Sequence, residues 1–290
     1  MTVLANDIAR IFKGSGTAPN AMLPGETPFT TRPELIGTFG MVATSHYLGT
    51  AAGMSMLERG GNAFDAAVAA TFVLQVVEPT MCGFAGEAPT ILYDNAADKV
   101  SVLSGQGVAP SAATSERFRT MGLDLVPGAG LLPAVTPSAF GTMMLLLRDW
   151  GTMELRDVMT PAIGYARNGA PLSARVCSTI DSLSELFTTH WTTSGATYCP
   201  NGTAPIANKL FRNPVLADTF ERLVREADSV TSGREARIEA ARAAFYSGFV
   251  AEAVDRFCRD NSILDTSGER HRGLMTGDDL DKWRASVEAP

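Results

Sequence analysis

"LERGGNAFDAAVAATFVLQVVEP" (residues 57–79) carries alanine where a core helix usually carries leucine. Gly60 and Gly61 stop one helix. Asn62 then stands as the N-cap of the next, with Asp65 in its first turn. Pro79 keeps Glu78 out of helical geometry and ends that helix near Val77. Ala63, Ala66, Ala67, Ala69 and Ala70 allow a neighbouring backbone to approach closely, while Phe72, Val73, Leu74, Val76 and Val77 bury the remainder against a sheet. Between Ala63 and Val77 only Asp65 and Gln75 suit a solvated face. A helix so apolar is covered on both sides, so the expected architecture is layered, an α/β (α+β) mixture of short strands and many helices.

Outward from this stretch, residues 1–37 form an irregular, proline- and glycine-rich lead-in. "FGMVATSH" (39–46) has strand character, and "YLGTAAGMSMLERG" (47–60) reads as the helix that Gly60 and Gly61 stop. "TILYD" (90–94) and "KVSVLSG" (99–105) alternate apolar with polar residues about the turn "NAAD", which predicts a hairpin. Helices are expected within 134–151, within 154–173 with Gly169 near its end, and over 213–228, where Leu216, Phe220, Leu223 and Val224 share a face. One or two more lie in 236–260 around Gly248, and a capping box from Thr276 to Asp279 opens another. Residues 188–209 read as a polar loop.

Composition narrows the function. With 45% hydrophobic and 19% charged residues the 290-residue chain has a large core. A net charge of −7 argues against nucleic acid as a partner. Residues 1–20 lack the apolar segment of a signal peptide, and the most apolar run, 66–77, is too short to span a bilayer. The expectation is therefore a soluble, cytoplasmic protein with no membrane partner. Cys82, Cys177, Cys199 and Cys258 are scattered without a C-x-x-C pair, which fits reduced thiols. His46, His190 and His271 are isolated, so neither a metal site nor a metal-dependent amidase is expected, and no cofactor is called for.

Several stretches in order are similar to the large chain of the γ-glutamyltransferase family: "GMVATSHYLGTAAGMSMLERGGNAFDAAVAATFVLQVVEP" (40–79), "TPAIGYARNGAPLS" (160–173), "NPVLADTF" (213–220), "AFYSGFVAEAV" (244–254) and "LMTGDDLDKW" (274–283). The resemblance implies an N-terminal-nucleophile hydrolase with a four-layer αββα sandwich. Residues 38–290 would be the large-chain portion of one domain, completed by a small chain cut from the same precursor. The resemblance places the nucleophile on a threonine at the start of that small chain. Its hydroxyl attacks an amide, its α-amine acts as base and backbone N–H groups hold the oxyanion. No catalytic residue is expected among these 290. "TTHW" (188–191) resembles the opening of the family's small chain, but loop-like sequence follows it and large-chain stretches flank it. Thr2 would become N-terminal after removal of Met1, yet no strand pattern follows.

The resemblance also points to a substrate-binding segment. The family's D-G-R-E-T-A-P, whose arginine grips the α-carboxylate of a γ-glutamyl group, aligns with "SGQGVAP" (104–110). Ser104, Gly105 and Gln106 are the candidate substrate-binding residues, with Gln106 in the arginine's place and Gly107 in the glutamate's. A glutamine brings no charge to a carboxylate. The loop "EPTMCGFAGEAP" (78–89) departs too, with Gly83 and Gly86 where the family has a glycine run, and Glu87 read as a solvated carboxylate. The sequence thus leans towards an oxamate amidohydrolase-like member acting on a small amide. The alternatives are a γ-glutamyl hydrolase or transferase whose carboxylate is gripped elsewhere, and a non-catalytic scaffold. A phosphate-loop reading of Gly105 and Gly107 lacks its third glycine and meets Pro110 where the helix should start.

Overall fold

The computed structural model describes residues 34–290. Most of the lead-in and Thr2 lie outside the described residues, and residues 34–37 are exposed coil. Twelve helices and seven strands follow among the described residues. Helix α1 (Tyr47–Glu58) ends before Gly60, whose φ of +89° carries the turn into helix α2 (Ala63–Val77). The hairpin of β1 (Thr90–Asp94) and β2 (Lys99–Ser104) pairs Ile91 with Val102 and Tyr93 with Val100, and β7 (Ser286–Glu288) joins β2 antiparallel. Between them run α3 (Ser115–Thr120), α4 (Ala139–Asp149), α5 (Leu155–Asn168), β3 (Ala170–Pro171), α6 (Ala174–Ser182), α7 (Ser184–Thr189), α8 (Thr192–Tyr198) and β4 (Leu210–Phe211). Then come α9 (Pro214–Asp228), α10 (Arg234–Tyr246), α11 (Phe249–Asp260), the hairpin β5 (Ser262–Leu264) and β6 (Arg270–Arg272), and α12 (Gly277–Lys282).

Helix α2 is the hub. It packs mainly against α1, α5 and α4 and also touches the short strand β3, so most of its cover is helical where a sheet is expected from the sequence. Small residues set this spacing. A Cβ on Gly53 of α1 would come 3.0 Å from the Ala66 carbonyl oxygen, and one on Gly49 would meet Leu74 at 2.9 Å. The sheet joins the same core from its own side through buried Leu92 and Leu103.

The two polar residues expected on a solvated face are both buried. Asn62 caps α2 as expected, accepting from the N–H groups of Phe64 and Asp65. Asp65, which is 0% exposed, looks inward instead. Its carboxylate accepts from the N–H of Asn62 (2.8 Å), the N–H and hydroxyl of Thr152 (2.9 and 2.7 Å) and the N–H of Met153 (3.0 Å). That set satisfies the carboxylate and ties the start of α2 to the turn before α5. At the other end, Phe72 and Phe84 enter an aromatic cluster with Phe140 of α4, Phe220 of α9 and Phe245 of α10.

Two further expectations change. Residues 39–46 form no strand; Phe39 and Met41 are exposed, and the His46 ring nitrogen caps α1 by accepting from the Leu48 N–H at 3.2 Å. Residues 188–209 are not loop throughout, because α7 and α8 occupy them as far as Tyr198. Phe187, Trp191 and Tyr198 supply the apolar anchors: Phe187 stacks on Trp191 at 6.1 Å, over a small second core with Leu172, Val176, Ile180 and Leu264. Thr188 and Thr189 end α7, with the Thr188 hydroxyl donating to the Ser184 carbonyl, so neither opens a strand.

Removing the Asp65 carboxylate strands donors inside the protein. Asp65→Ala is expected to destabilise by about 3 kcal/mol. A thermal or urea melt of the variant beside the wild type checks this, and an unchanged midpoint contradicts the role given to Asp65.

Candidate functional site

The segment 104–111 leaves β2 and threads between two other backbones. On one side the Ala88 N–H donates to the Gly105 carbonyl at 2.9 Å, while on the other the Thr136 N–H donates to the Val108 carbonyl at 2.9 Å. The Ser138 hydroxyl donates to the Gly105 carbonyl at 2.7 Å. The Gly86 carbonyl accepts from both Ser138 and Ala139, so all three loops form one unit. Here the glycines are required by close approach. A Cβ on Gly105 would lie 2.1 Å from the Ala88 carbonyl oxygen, and one on Gly107 would lie 1.9 Å from that of Thr136.

Ser104 and Gln106 line a common hollow of about 460 Å³, whereas Gly105 is buried and turned away from it. The Gln106 side chain is exposed, while its backbone carbonyl accepts from the Trp283 indole at 3.3 Å. Val108, Ala109 and Ser111 continue that wall, and the opposite side comes from the C-terminal end of the chain, with Asp279, Lys282, Trp283 and Arg284. No local signal in the sequence points to these residues facing Gln106. The capping box at Thr276 was visible, but its Asp279 does a second task, accepting from the Ser111 N–H at 2.9 Å. Burial raises the Asp279 carboxyl, but donors from Ser111 and Thr276 outweigh it and hold the group below the usual carboxylate range.

Glu87 is exposed, and it also accepts from the Gly107 N–H at 3.4 Å, which links the loop after α2 to the candidate segment. It stands at the edge of a second, apolar cavity of about 740 Å³ lined by Phe84, Gly86, Pro133, Val135, Val250 and Phe249. Beneath, the Tyr246 hydroxyl donates to the Pro137 carbonyl at 2.7 Å and accepts from the Gly141 N–H at 3.1 Å. Burial pushes that phenol up, so it stays a neutral prop under residues 136–138.

A gamma-glutamyltranspeptidase family model matches residues 49–290. The chain belongs to this family. It is 31% identical over 258 residues to the glutathione hydrolase-like YwrD proenzyme of Bacillus subtilis, covering 88% of this chain and 44% of that protein. It is 30% identical over 198 residues to the oxamate amidohydrolase proenzyme of Klebsiella pneumoniae, covering 66% of this chain and 37% of that protein. Among solved structures, LmbA2991HD matches at 51% identity and a TM-score of 0.86, over 91% of this chain and 45% of that one. The Helicobacter pylori gamma-glutamyltranspeptidase matches at 25% identity and a TM-score of 0.74, over 89% of this chain and 68% of that one. The fold is therefore the N-terminal-nucleophile αββα type, of which this chain carries a helix-rich part. The chain spans less than half the length of the curated relatives it matches. Among the described residues no helix is long and apolar enough to cross a membrane.

Two outcomes follow from the geometry. Gly105→Ala is expected to cost about 1–3 kcal/mol by overpacking, whereas Gln106→Ala leaves stability nearly unchanged because that side chain is exposed. Paired thermal melts separate the two. The second concerns acid. A carboxyl depressed in the folded state stabilises above its unfolded value, near pH 3.9, and loses that contribution as pH falls through the folded one. Asp279→Asn should therefore flatten the acid limb of the melting temperature against pH and leave its slope near neutrality unchanged.

Proposed function

We propose that residues 38–290 are the large-chain portion of a self-processed amidohydrolase, completed by a small chain from the same precursor. The nucleophile in this reading is the threonine freed at the start of that small chain. Its hydroxyl adds to the amide carbonyl and its proton passes through the α-amine to the departing amine. Water then opens the ester and restores the threonine. The open outer face of the sheet supports the two-chain reading. Ile91 (71% exposed), Tyr93, Val100 and Val102 share it, opposite buried Leu92, Ser101 and Leu103, and a second sheet stacks about 10 Å from such a face.

The substrate in this reading is a small, oxamate-like amide acid, with Ser104 and Gln106 on the binding side and Gly105 as the backbone hinge behind them. The observation that carries it is Gln106. It stands on the hollow where the family resemblance calls for a guanidinium, and an amide offers a hydrogen bond but no charge. A second reading, γ-glutamyl hydrolysis or transfer, draws on Lys282 and Arg284 on the same wall, which could hold an α-carboxylate in the missing arginine's place.

Intact mass spectrometry of the full gene product tests the common part. Two polypeptides, the second beginning with threonine, are expected. A single uncleaved species leaves the scaffold reading standing. The processed protein is expected to hydrolyse oxamate in preference to a γ-glutamyl anilide, and Gln106→Arg to raise kcat/KM for the anilide at least about tenfold. If wild type prefers the anilide and Lys282→Ala or Arg284→Ala abolishes that preference, the second reading holds. Expressed alone, the 290-residue chain is expected to be poorly soluble or dimeric through its exposed sheet face.

A further inference from the structure

Away from the candidate site, three elements bring arginine to one hollow of about 480 Å³. Arg117 comes from α3, Arg259 from the end of α11, and Arg270 and Arg272 from β6. Alternation along β6 puts Arg270 and Arg272 on one face. The residue between them, His271, turns to the buried Asp265 and meets its carboxylate at 2.7 Å. That contact, with the Ser267 N–H donating to Asp265 at 2.8 Å, fixes the hairpin and so the direction in which both arginines project.

The charges in this hollow do not balance. Among the residues lining it, four arginines face one acid, Asp255, an excess of three positive charges between aspartate and arginine. The imbalance occurs in a chain whose net charge is −7. Asp255 is itself committed: it pairs with Arg259 at 2.6 Å and accepts from the Gly277 N–H. Asp260 adds a second contact to the same arginine at 3.2 Å. Among the described residues Arg117, Arg270 and Arg272 make no salt bridge. Arg270 is steadied by the His190 ring nitrogen at 3.0 Å, a contact that orients its guanidinium without neutralising it.

We propose that this hollow is an anion site for a phosphate-class dianion, either free phosphate or the phosphate of a monoester. Guanidinium groups converging from separate elements repel one another until an anion sits between them. A tetrahedral dianion offers oxygens in several directions and matches forks arriving from α3 and β6 together. A monocarboxylate offers two coplanar oxygens and one charge, and would leave part of the set unmet. The bound anion would clamp α3, α11 and the β5–β6 hairpin, so occupancy stabilises the fold by mass action.

The experiment uses the full gene product as purified, with phosphate, adenosine monophosphate and acetate titrated at constant ionic strength. Calorimetry and the melting temperature are read together. Phosphate is expected to bind and raise the melting temperature, and acetate to do neither. Arg117→Gln with Arg272→Gln should weaken phosphate binding at least about tenfold, and lysine at both positions should restore much of it. Both side chains are exposed, so the double variant touches no core contact. Equal binding of phosphate and adenosine monophosphate assigns the site to the oxyanion itself, and tighter binding of the nucleotide assigns it to a monoester. No response to phosphate, an equal response to acetate, or undiminished binding by the double variant overturns the proposal.

Discussion

Helix α2 is held at both ends, and the position of every other part of the candidate site follows from that. At its start the buried Asp65 carboxylate gathers donors from Asn62, Thr152 and Met153, leaving the turn before α5 one position to adopt. At its end Phe72 meets Phe220 at 5.7 Å, and Phe84, from the loop that follows, meets Phe220 at 5.0 Å and Phe245 at 5.2 Å. Offset and edge-on aromatic contacts of this kind add directional preference to simple burial. The loop after α2 is thereby pinned by a ring in the core while its Gly86 and Glu87 reach the neighbouring segments.

Backbone then carries the order outward. Gly86 receives Ser138 and Ala139, Ala88 donates to Gly105, and Thr136 donates to Val108. The three loops share their hydrogen bonds and leave no room for side chains at Gly105 and Gly107. The wall that presents Ser104 and Gln106 is thus a rigid edge supported from below by Tyr246. Its chemistry is polar and cationic, with Lys282 and Arg284 beside an uncharged Gln106, while the cavity beyond Glu87 is apolar. Two surfaces of different character thus lie on either side of one loop.

Local signals were legible where one residue type has one physical use. Gly60 stops α1 at positive φ, Asn62 and Thr276 cap their helices, and the alternation of 90–94 with 99–104 gives the hairpin. Misreadings arose where a residue type has several uses. Asp65 and Gln75 look like surface residues by composition, and the donors of Thr152 and Met153, 87 and 88 positions away, add to the local Asn62 N–H to make a buried Asp65 favourable. The Ser- and Thr-rich run after 188 looks like loop, yet Phe187, Trp191 and Tyr198 have an apolar partner surface that includes Leu264, far along the chain.

The sequence by itself determined the family, the hairpin 90–104 and the longer helices, and it singled out 104–110 as the candidate segment. These are properties of short stretches, set by capping, periodicity and the spacing of particular residue types. Only the tertiary structure decided that Gly105 turns inward while Ser104 and Gln106 face one hollow, and that Asp279, Lys282 and Arg284 complete its wall. It alone gathered Arg117, Arg259, Arg270 and Arg272 around a second one. The reason is physical: Gln106 lies more than a hundred positions from Asp279, Lys282 and Arg284, and Arg117 as far from the other three arginines, so their meeting depends on how whole elements pack, which no local preference encodes.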